Sequence, residues 1–246
     1  MLNDLLLLSG NDIPFEGARV SIHQPTVKEI AYIGEENFYT GCEFLKFSKD
    51  NLNEEDRIHL EKQSNFEIIM SIMKEQNITI QKSKICVLMV LSLLFPGYEI
   101  NINNEIMLID EKSKAEYIIN TKNYEEFLKI LNEMFCLKET SSTTDYNPEG
   151  DMAKRIAEKL RKRHQKLAEE KPDEFHKVAI LSRYVSILSV GEHKDMNSLL
   201  QYTVYQLFDE FKRYELKMNY DMYIKAKLAG AKDLKEVDDW MKDIHP

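Results

Sequence analysis

The fold is decided by the stretch Ile22-His23-Gln24-Pro25-Thr26-Val27-Lys28-Glu29-Ile30, which reads as a junction between a strand and a helix. Val20 and Ile22 alternate with polar neighbours, and this alternation predicts a short strand that ends at His23. The proline keeps the residue before it out of helical geometry, so the helix should begin only after Gln24, and Pro25 fits the end of the extended segment. Thr26 and Glu29 have the spacing of a capping box, in which a hydroxyl and a carboxylate satisfy reciprocal backbone donors. We therefore predict a capped helix over residues 26–33.

Outward from this junction, the N-terminal part combines helical periodicity with a hairpin signal. The apolar run from Ile80 to Phe95 predicts a buried helix, and Pro96-Gly97 is the punctuation expected at its end. The segment from Glu99 to Asp110 alternates around Asn103-Asn104, which favours a hairpin because asparagine tolerates left-handed turn conformations. A third strand is indicated at residues 117–119, and further helices at 35–47, 53–73 and 124–135.

The C-terminal part reads as helical throughout. An apolar stripe indicates a first helix over residues 152–168, and Pro172 begins a second, whose apolar run ends at Gly191. One long pattern from Met196 to Ala229 follows, and a last short helix is predicted from Asp233. We therefore predict a mainly α, α+β fold: a helical protein with a small β-hairpin or sheet in its N-terminal part and an all-helical C-terminal part.

Residues 138–150 separate the two parts, since they hold one aromatic residue, no aliphatic residue, and proline and glycine close together. Such a segment cannot bury enough apolar area to offset its ordering entropy, so we predict a linker or mobile loop. Residues 1–137 hold 22 acidic and 13 basic side chains, while residues 138–246 hold 20 of each. The predicted organisation is an acidic α+β head domain at 1–137, the linker at 138–150 and a helical C-terminal domain at 151–246.

Composition disfavours several classes of protein. The chain has 246 residues and a formal net charge of −9, which is a poor match for wrapping nucleic acid. Its longest apolar run, Ile85 to Phe95, is shorter than the roughly 20 residues of a membrane-spanning helix, so no membrane partner is expected. No export signal is recognisable. Cys42, Cys86 and Cys136 are expected as buried free thiols, which favours a cytoplasmic location.

No grouping of side chains in the sequence predicts catalysis. The six histidines form no His-Glu-x-x-His motif and no i, i+4 pair. A Gly-x-Ser-x-Gly nucleophile motif and a glycine-rich phosphate loop are also missing from the sequence. Paired carboxylates such as Asp238-Asp239 point in different directions on a helix and do not converge on one substrate. We therefore predict no catalytic residue, no metal, no cofactor and no enzymatic activity.

One cluster of positive charge stands out in the C-terminal part, interrupted by a single acidic residue, Glu158. Cations gathered on one helix can contact a phosphate backbone or an acidic protein, the acidic head of this chain included, through a salt-sensitive attraction. The plainer interpretation is a solvated helix face opposite an apolar stripe. The cluster comprises Lys154, Arg155, Lys159, Arg161, Lys162, Arg163 and Lys166.

The C-terminal part also carries more aromatic side chains than a small helical domain is expected to bury. Tyrosine, tryptophan and methionine are typical of protein interfaces, and tyrosines along one long helix favour a helix-in-groove or helix-bundle contact. We therefore predict a partner-binding surface that consists of Tyr202, Tyr205, Tyr214, Tyr220, Tyr223 and Trp240.

Two stretches carry a resemblance to a known family. The first runs from Leu6-Leu7-Leu8-Ser9-Gly10-Asn11-Asp12-Ile13-Pro14-Phe15 through residues 22–36. The second lies within residues 214–244 and includes Lys227-Leu228-Ala229-Gly230-Ala231 and Asp239-Trp240-Met241-Lys242-Asp243-Ile244. Both resemble tail assembly chaperones of long-tailed bacteriophages and prophages of Gram-positive bacteria. The resemblance implies a non-enzymatic helper that coats the tape measure protein, recruits tail tube subunits and leaves before the virion is complete.

The resemblance thus implies protein partners, the tape measure and tail tube proteins, in the cytoplasm of a bacterial host. It supplies no catalytic residues, and it leaves self-association open. Two other functions stay open beside it. One is another phage tail or baseplate structural protein. The other is a regulatory nucleic-acid-binding protein that uses the basic helix at 154–166, although the net negative charge of the chain disfavours nucleic acid.

Overall fold

The computed structural model describes residues 2–49, 62–74, 78–137, 180–231, 237–242 and 244. The chain divides into two compact units, one formed by Met1–Leu137 with Leu181–Pro246 and the other by Lys138–Ile180. The linker predicted at 138–150 lies outside the described residues. The first unit joins the helices after residue 180 to the predicted head, whereas the sequence assigns 151–246 to a domain of its own.

The N-terminal block, residues 4–33, begins with α1 (Asp4–Ser9), β1 (Ile13–Phe15) and β2 (Val20–Ile22). The two strands pair antiparallel, and each buries its first and last residue while exposing the middle one. The predicted strand is therefore confirmed. It ends where expected, because the backbone N–H of His23 leaves the sheet and donates to the carbonyl of Leu94 at 2.8 Å.

The predicted capped helix is α2 (Val27–Ile33), and its capping box is complete. The hydroxyl of Thr26 accepts from the backbone N–H of Glu29 at 3.2 Å, and the Glu29 carboxylate accepts from the backbone N–H of Thr26 at 2.7 Å. Two of the backbone donors that every helix start leaves without an intrahelical partner are satisfied in this way.

Among the described residues, three helices follow: α3 (Glu35–Leu45), α4 (Asn65–Ile72) and α5 (Ile78–Leu94). The predicted buried helix is α5, which ends just before the Pro96-Gly97 pair as expected. It crosses α3 closely at Gly41, where an added methyl carbon would lie 2.6 Å from the carbonyl oxygen of Cys86. The absence of a side chain at Gly41 therefore sets how near the two helices come.

A second sheet contains β3 (Tyr98–Ile102), β4 (Ile106–Asp110) and β5 (Glu116–Ile119) in that order, all antiparallel. The predicted hairpin and its third strand are confirmed, since Ile102 pairs with Ile106 across the asparagine turn and Ile106 pairs with Ile119. α6 (Tyr124–Met134) then closes the N-terminal part. Its buried Phe127 contacts the rings of Phe15, in β1, and Phe95, the residue after α5, so β1, the end of α5 and α6 share one aromatic core.

The described C-terminal helices are α7 (Ile180–Gly191), α8 (Met196–Leu200) and α9 (Val204–Leu228). The single long helix predicted from Met196 is wrong in one respect, because Thr203 and Gln206 form a new capping box that restarts the helix. Residues 237–242 lie in turns and irregular backbone, not in the predicted last helix. The protein is mainly α with two small antiparallel sheets in its N-terminal part, an α+β fold as predicted.

Candidate protein-binding surface

The long helix α9 begins at a junction with the N-terminal block. Thr203 caps the helix, and it forms an isolated antiparallel bridge with Thr26, the cap of α2. The backbone N–H of Val27 donates to the carbonyl of Tyr202 at 2.9 Å. Two capped helix starts are thus joined through their backbones, and this junction fixes where α9 leaves the core.

Side chains of α9 strengthen this attachment. The amide of Gln206 donates to the carbonyl of Leu8 at 2.7 Å, and the hydroxyl of Tyr205 lies 3.3 Å from Asp4 Oδ1. Burial, together with the nearby Asp4 carboxylate, raises the pKa of Tyr205, so the phenol stays protonated and able to donate. The first two turns of α9 are therefore structural.

The next turns of α9 are covered by α7. The ring of Tyr184 stacks on Phe211 with centroids 3.8 Å apart and meets Phe208 edge-on at 5.1 Å. The hydroxyl end of Tyr214 packs against Gly191, the last residue of α7. At its other end α7 is tied to α3, because the Glu35 carboxylate accepts from the backbone N–H of Leu181 at 2.7 Å.

The apolar face of α9 continues beyond the part that α7 covers. Leu207, Phe211, Tyr214, Met218 and Met222 follow at intervals of three and four residues, so they lie on one side of the helix. Leu207 is fully buried, and Phe211 and Tyr214 pack against the core. Met218 and Met222 are 41% and 56% exposed. We call these two methionines the distal stripe.

The predicted aromatic set does not form one surface. Tyr205 is buried, and Tyr202 and Tyr214 pack against the core, so these three support the position of α9. Tyr220 and Tyr223 are half-buried on the distal half of the helix. Because Tyr220 lies two residues after Met218, it occupies a different side of the helix from the distal stripe.

Trp240, the last of the predicted aromatic residues, is 38% exposed in the segment that follows α9. The guanidinium of Arg213 donates to the carbonyls of Trp240 and Lys242 at 3.2 and 2.6 Å, which holds this segment beside the helix.

The sequence alone places Met218 and Met222 on the apolar face of α9, through their spacing from Tyr214. What periodicity could not show is where the core stops, and only that makes the two methionines a surface.

The basic cluster predicted at Lys154, Arg155, Lys159, Arg161, Lys162, Arg163 and Lys166 lies outside the described residues.

Charged side chains of both signs accompany the distal stripe. Glu215, Lys217, Asp221 and Lys225 alternate in sign along the same part of α9. The exposed end of the helix therefore combines apolar side chains with charges of both signs.

A groove of about 590 Å³ lies beside the β1–β2 hairpin, and His23 and Asp12 are among its lining residues. His23 Nδ1 lies 2.9 Å from Asp12 Oδ1, and Nε2 lies 3.4 Å from the Glu29 carboxylate. Partial burial alone would raise the pKa of Glu29, but the hydrogen bonds from Thr26 and the nearby His23 lower it overall. Since both ring nitrogens face carboxylates, this histidine joins the hairpin to the α2 cap. Sequence spacing gave no sign of the Asp12 contact, because the hairpin intervenes.

The part of the chain that the structure describes also bears on metal binding, membrane insertion and thiol chemistry. No group of three or more metal-binding side chains occurs there, and no helix there is long and apolar enough to cross a membrane. All three cysteines are free, with Cys42 and Cys86 buried and Cys136 half-buried. Burial, together with the nearby Asp209, raises the pKa of Cys136 to about 11, so its thiol is a poor nucleophile near neutral pH.

Comparison with known proteins gave one family match. Residues 170–245, less than half of the chain, match the family model described as the YomV second domain. Among the described residues this region contains α7, α8 and α9. The match indicates a phage-type protein. Searches of curated proteins and of solved structures gave no match.

Proposed function

We propose that the protein is a non-enzymatic phage tail assembly chaperone that binds the tape measure protein and recruits tail tube subunits. The match of residues 170–245 to the YomV second domain supports a phage-related role. The resemblance of residues 6–36 and 214–244 to tail assembly chaperones supports the more specific role in tail assembly. Binding in the bacterial cytoplasm, before the virion is complete, belongs to the same proposal.

One observation of the structure carries the protein-binding part of this proposal. The apolar face of α9 packs against the core as far as Tyr214 and then continues as two exposed methionines. Methionine is flexible and polarisable, which suits contact with an apolar partner, and exposed apolar side chains that continue a buried face are typical of interaction sites. A chaperone needs such a surface, whereas a catalytic site needs converging polar groups.

Co-expression tests the proposal. The full chain is produced together with the tape measure protein encoded in the same tail module, and the soluble fraction of that partner is measured after centrifugation. We expect a several-fold rise in soluble tape measure protein, together with its co-purification through an affinity tag on the chain.

Two controls sharpen the experiment. A tape measure protein from an unrelated phage should gain little solubility, since a general solubilising effect of an acidic protein would raise both. If the cognate tape measure protein stays insoluble while the chain itself is folded and abundant, the proposed function is wrong.

A further inference from the structure

Among the described residues, the cover of the apolar face of α9 ends with α7. The last residue of α7, Gly191, lies against the ring end of Tyr214, and the chain then turns away. Lys194 fixes this turn, because its ammonium group pairs with Glu210 and lies 5.7 Å from the ring centre of Tyr202. No side chain of α9 after Tyr214 belongs to the described hydrophobic core. The distal stripe is thus the part of a helix–helix contact face that α7 is too short to cover.

A face of this kind favours a helix as its occupant. Side chains at intervals of three and four residues form the ridges and grooves into which another helix packs, and α7 already uses the proximal part of the same face in this way. Met218 and Met222 are one helical turn apart, so two successive apolar side chains of a partner helix can contact them.

The charges beside the distal stripe define the chemistry of that partner. Lys217, Asp221 and Lys225 succeed one another at four-residue intervals, and Glu215 lies on the opposite flank of the methionines. A partner helix with both acidic and basic side chains on its flanks can pair them with the lysines and the carboxylates of this surface. A partner helix with charges of one sign only would be repelled by the side chains of the same sign.

We infer that the distal stripe binds an amphipathic α-helix of another protein, which lies where α7 would continue. The partner helix has aliphatic side chains at i and i+3 or i+4 over the methionines, and flanking acidic and basic side chains. This inference rests on the proposed protein-binding function and names the partner chemistry.

A designed peptide tests this inference on the full chain. The probe is a fluorescein-labelled helix of about 20 residues, long enough to hold its turns, with leucine on one face and alternating glutamate and lysine on both flanks. Its binding is followed by fluorescence anisotropy. We expect it to bind about tenfold more tightly than a scrambled peptide of the same composition, because scrambling removes the apolar face.

Variants of the chain assign the binding to the distal stripe. Replacing both methionines, Met218→Glu with Met222→Glu, should weaken peptide binding about tenfold, as expected for loss of the central apolar contact. The matched control replaces two other exposed methionines, Met196→Glu with Met241→Glu, and should bind like the original chain. If the glutamate substitutions disturb folding, the milder double variant Met218→Gln with Met222→Gln is used for the same binding measurement. Circular dichroism checks that each variant is folded.

Three results of the binding and sedimentation measurements would overturn the inference. One is equal binding of the peptide and its scrambled form, and another is unchanged binding by a folded stripe variant. The third is a dimer in sedimentation that the stripe variant abolishes, which would assign the surface to a second copy. The proposed function fails separately: rescue of the tape measure protein by the stripe variant would leave the chaperone role intact and remove only this surface.

Discussion

At the scale of single residues, Gly41 determines how closely two central helices approach. A methyl carbon there would lie 2.6 Å from the carbonyl oxygen of Cys86 and 2.7 Å from a methyl group of Val90. The first of these neighbours is backbone, which cannot rotate away. The steric requirement comes from packing and not from backbone conformation.

We therefore predict that Gly41→Ala destabilises the protein by about 1–3 kcal/mol, the usual cost of overpacking. In a helix without this contact, the same substitution would stabilise by about 0.5–1 kcal/mol, so the sign is diagnostic. Urea unfolding measures the change. Glu43→Ala, at an exposed position of the same helix, should alter stability by less than about 0.5 kcal/mol. A more stable Gly41→Ala variant would show that α3 and α5 do not cross as described.

Glu29 gives the α2 cap a dependence on pH. Its folded-state pKa lies below the ordinary value of 4.5, so the unfolded chain binds a proton first as the pH falls. The stabilisation by the charged carboxylate is therefore complete above the ordinary pKa. It is lost as the pH falls through the folded-state pKa.

Glu29→Gln tests this expectation because glutamine can still accept the backbone hydrogen bond, as Gln206 does at 2.8 Å in the cap of α9. We predict that the variant is less stable than the original chain at neutral pH, and that the difference narrows as the pH falls to about 3. Urea midpoints measured across this range give the difference. The comparison with and without Glu29→Gln is repeated in a chain that also carries His23→Gln, which removes the imidazole as a source of pH dependence. A difference that stays constant down to that pH would contradict the assignment.

At the scale of elements, the two helix caps at Thr26 and Thr203 should not behave independently. Each threonine caps its own helix, and the two form a backbone bridge with each other. Loss of a cap costs about 1 kcal/mol. If the loss of one cap displaces both helix starts, the first substitution already removes part of the stability that the second would remove. The two changes in the free energy of unfolding are then not additive.

We therefore predict a coupling of at least about 0.5 kcal/mol between Thr26→Ala and Thr203→Ala in a double-mutant cycle. Ser64 supplies the matched control, since it forms a third capping box at α4 and is not one of the bridged pair. Thr26→Ala and Ser64→Ala should be additive. Equal coupling energies in the Thr26–Thr203 and Thr26–Ser64 cycles would mean that the backbone bridge does not couple the two caps.

Elements that depend on local chemistry could be predicted from the sequence. The α2 cap follows from Thr26 and Glu29, and the β3–β4 hairpin from its asparagine turn, because both signals lie within a few residues. The restart of the helix at Thr203 was missed although Thr203 and Gln206 carry the same signal, since an unbroken apolar pattern outweighed it. The contact of Asp12 with His23 could not be predicted, because it depends on strand pairing.

At the scale of the whole molecule, the described C-terminal helices complete the core of the N-terminal part. Leu199, Val204 and Leu207 are fully buried within the same compact unit as residues 1–137. Burial of each such side chain stabilises a protein by about 1.5–3 kcal/mol. A change of composition along the chain, such as the one at 138–150, indicates a connection but cannot show whether the parts it joins share a core.

We predict that a fragment of residues 1–137 is markedly less stable than the full chain and binds a dye specific for exposed apolar surface. The expected cause is loss of the contacts that Tyr202, Tyr205 and Gln206 make with the N-terminal block. Urea unfolding followed by circular dichroism compares the two proteins. If the fragment unfolds at the same urea concentration as the full chain and binds no dye, residues 1–137 are an independent domain.

The bridge between Thr26 and Thr203 also bears on how far the region at 170–245 can be transplanted. The segment recognised by similarity contains a helix whose first turn donates side-chain hydrogen bonds to Asp4 and Leu8, 201 and 198 positions earlier. Just before this helix, the carbonyl of Tyr202 accepts from the backbone N–H of Val27. Grafted onto an unrelated scaffold, it would lose the carbonyl of Leu8 and the carboxylate of Asp4 as partners. A usable graft therefore needs the N-terminal block as well.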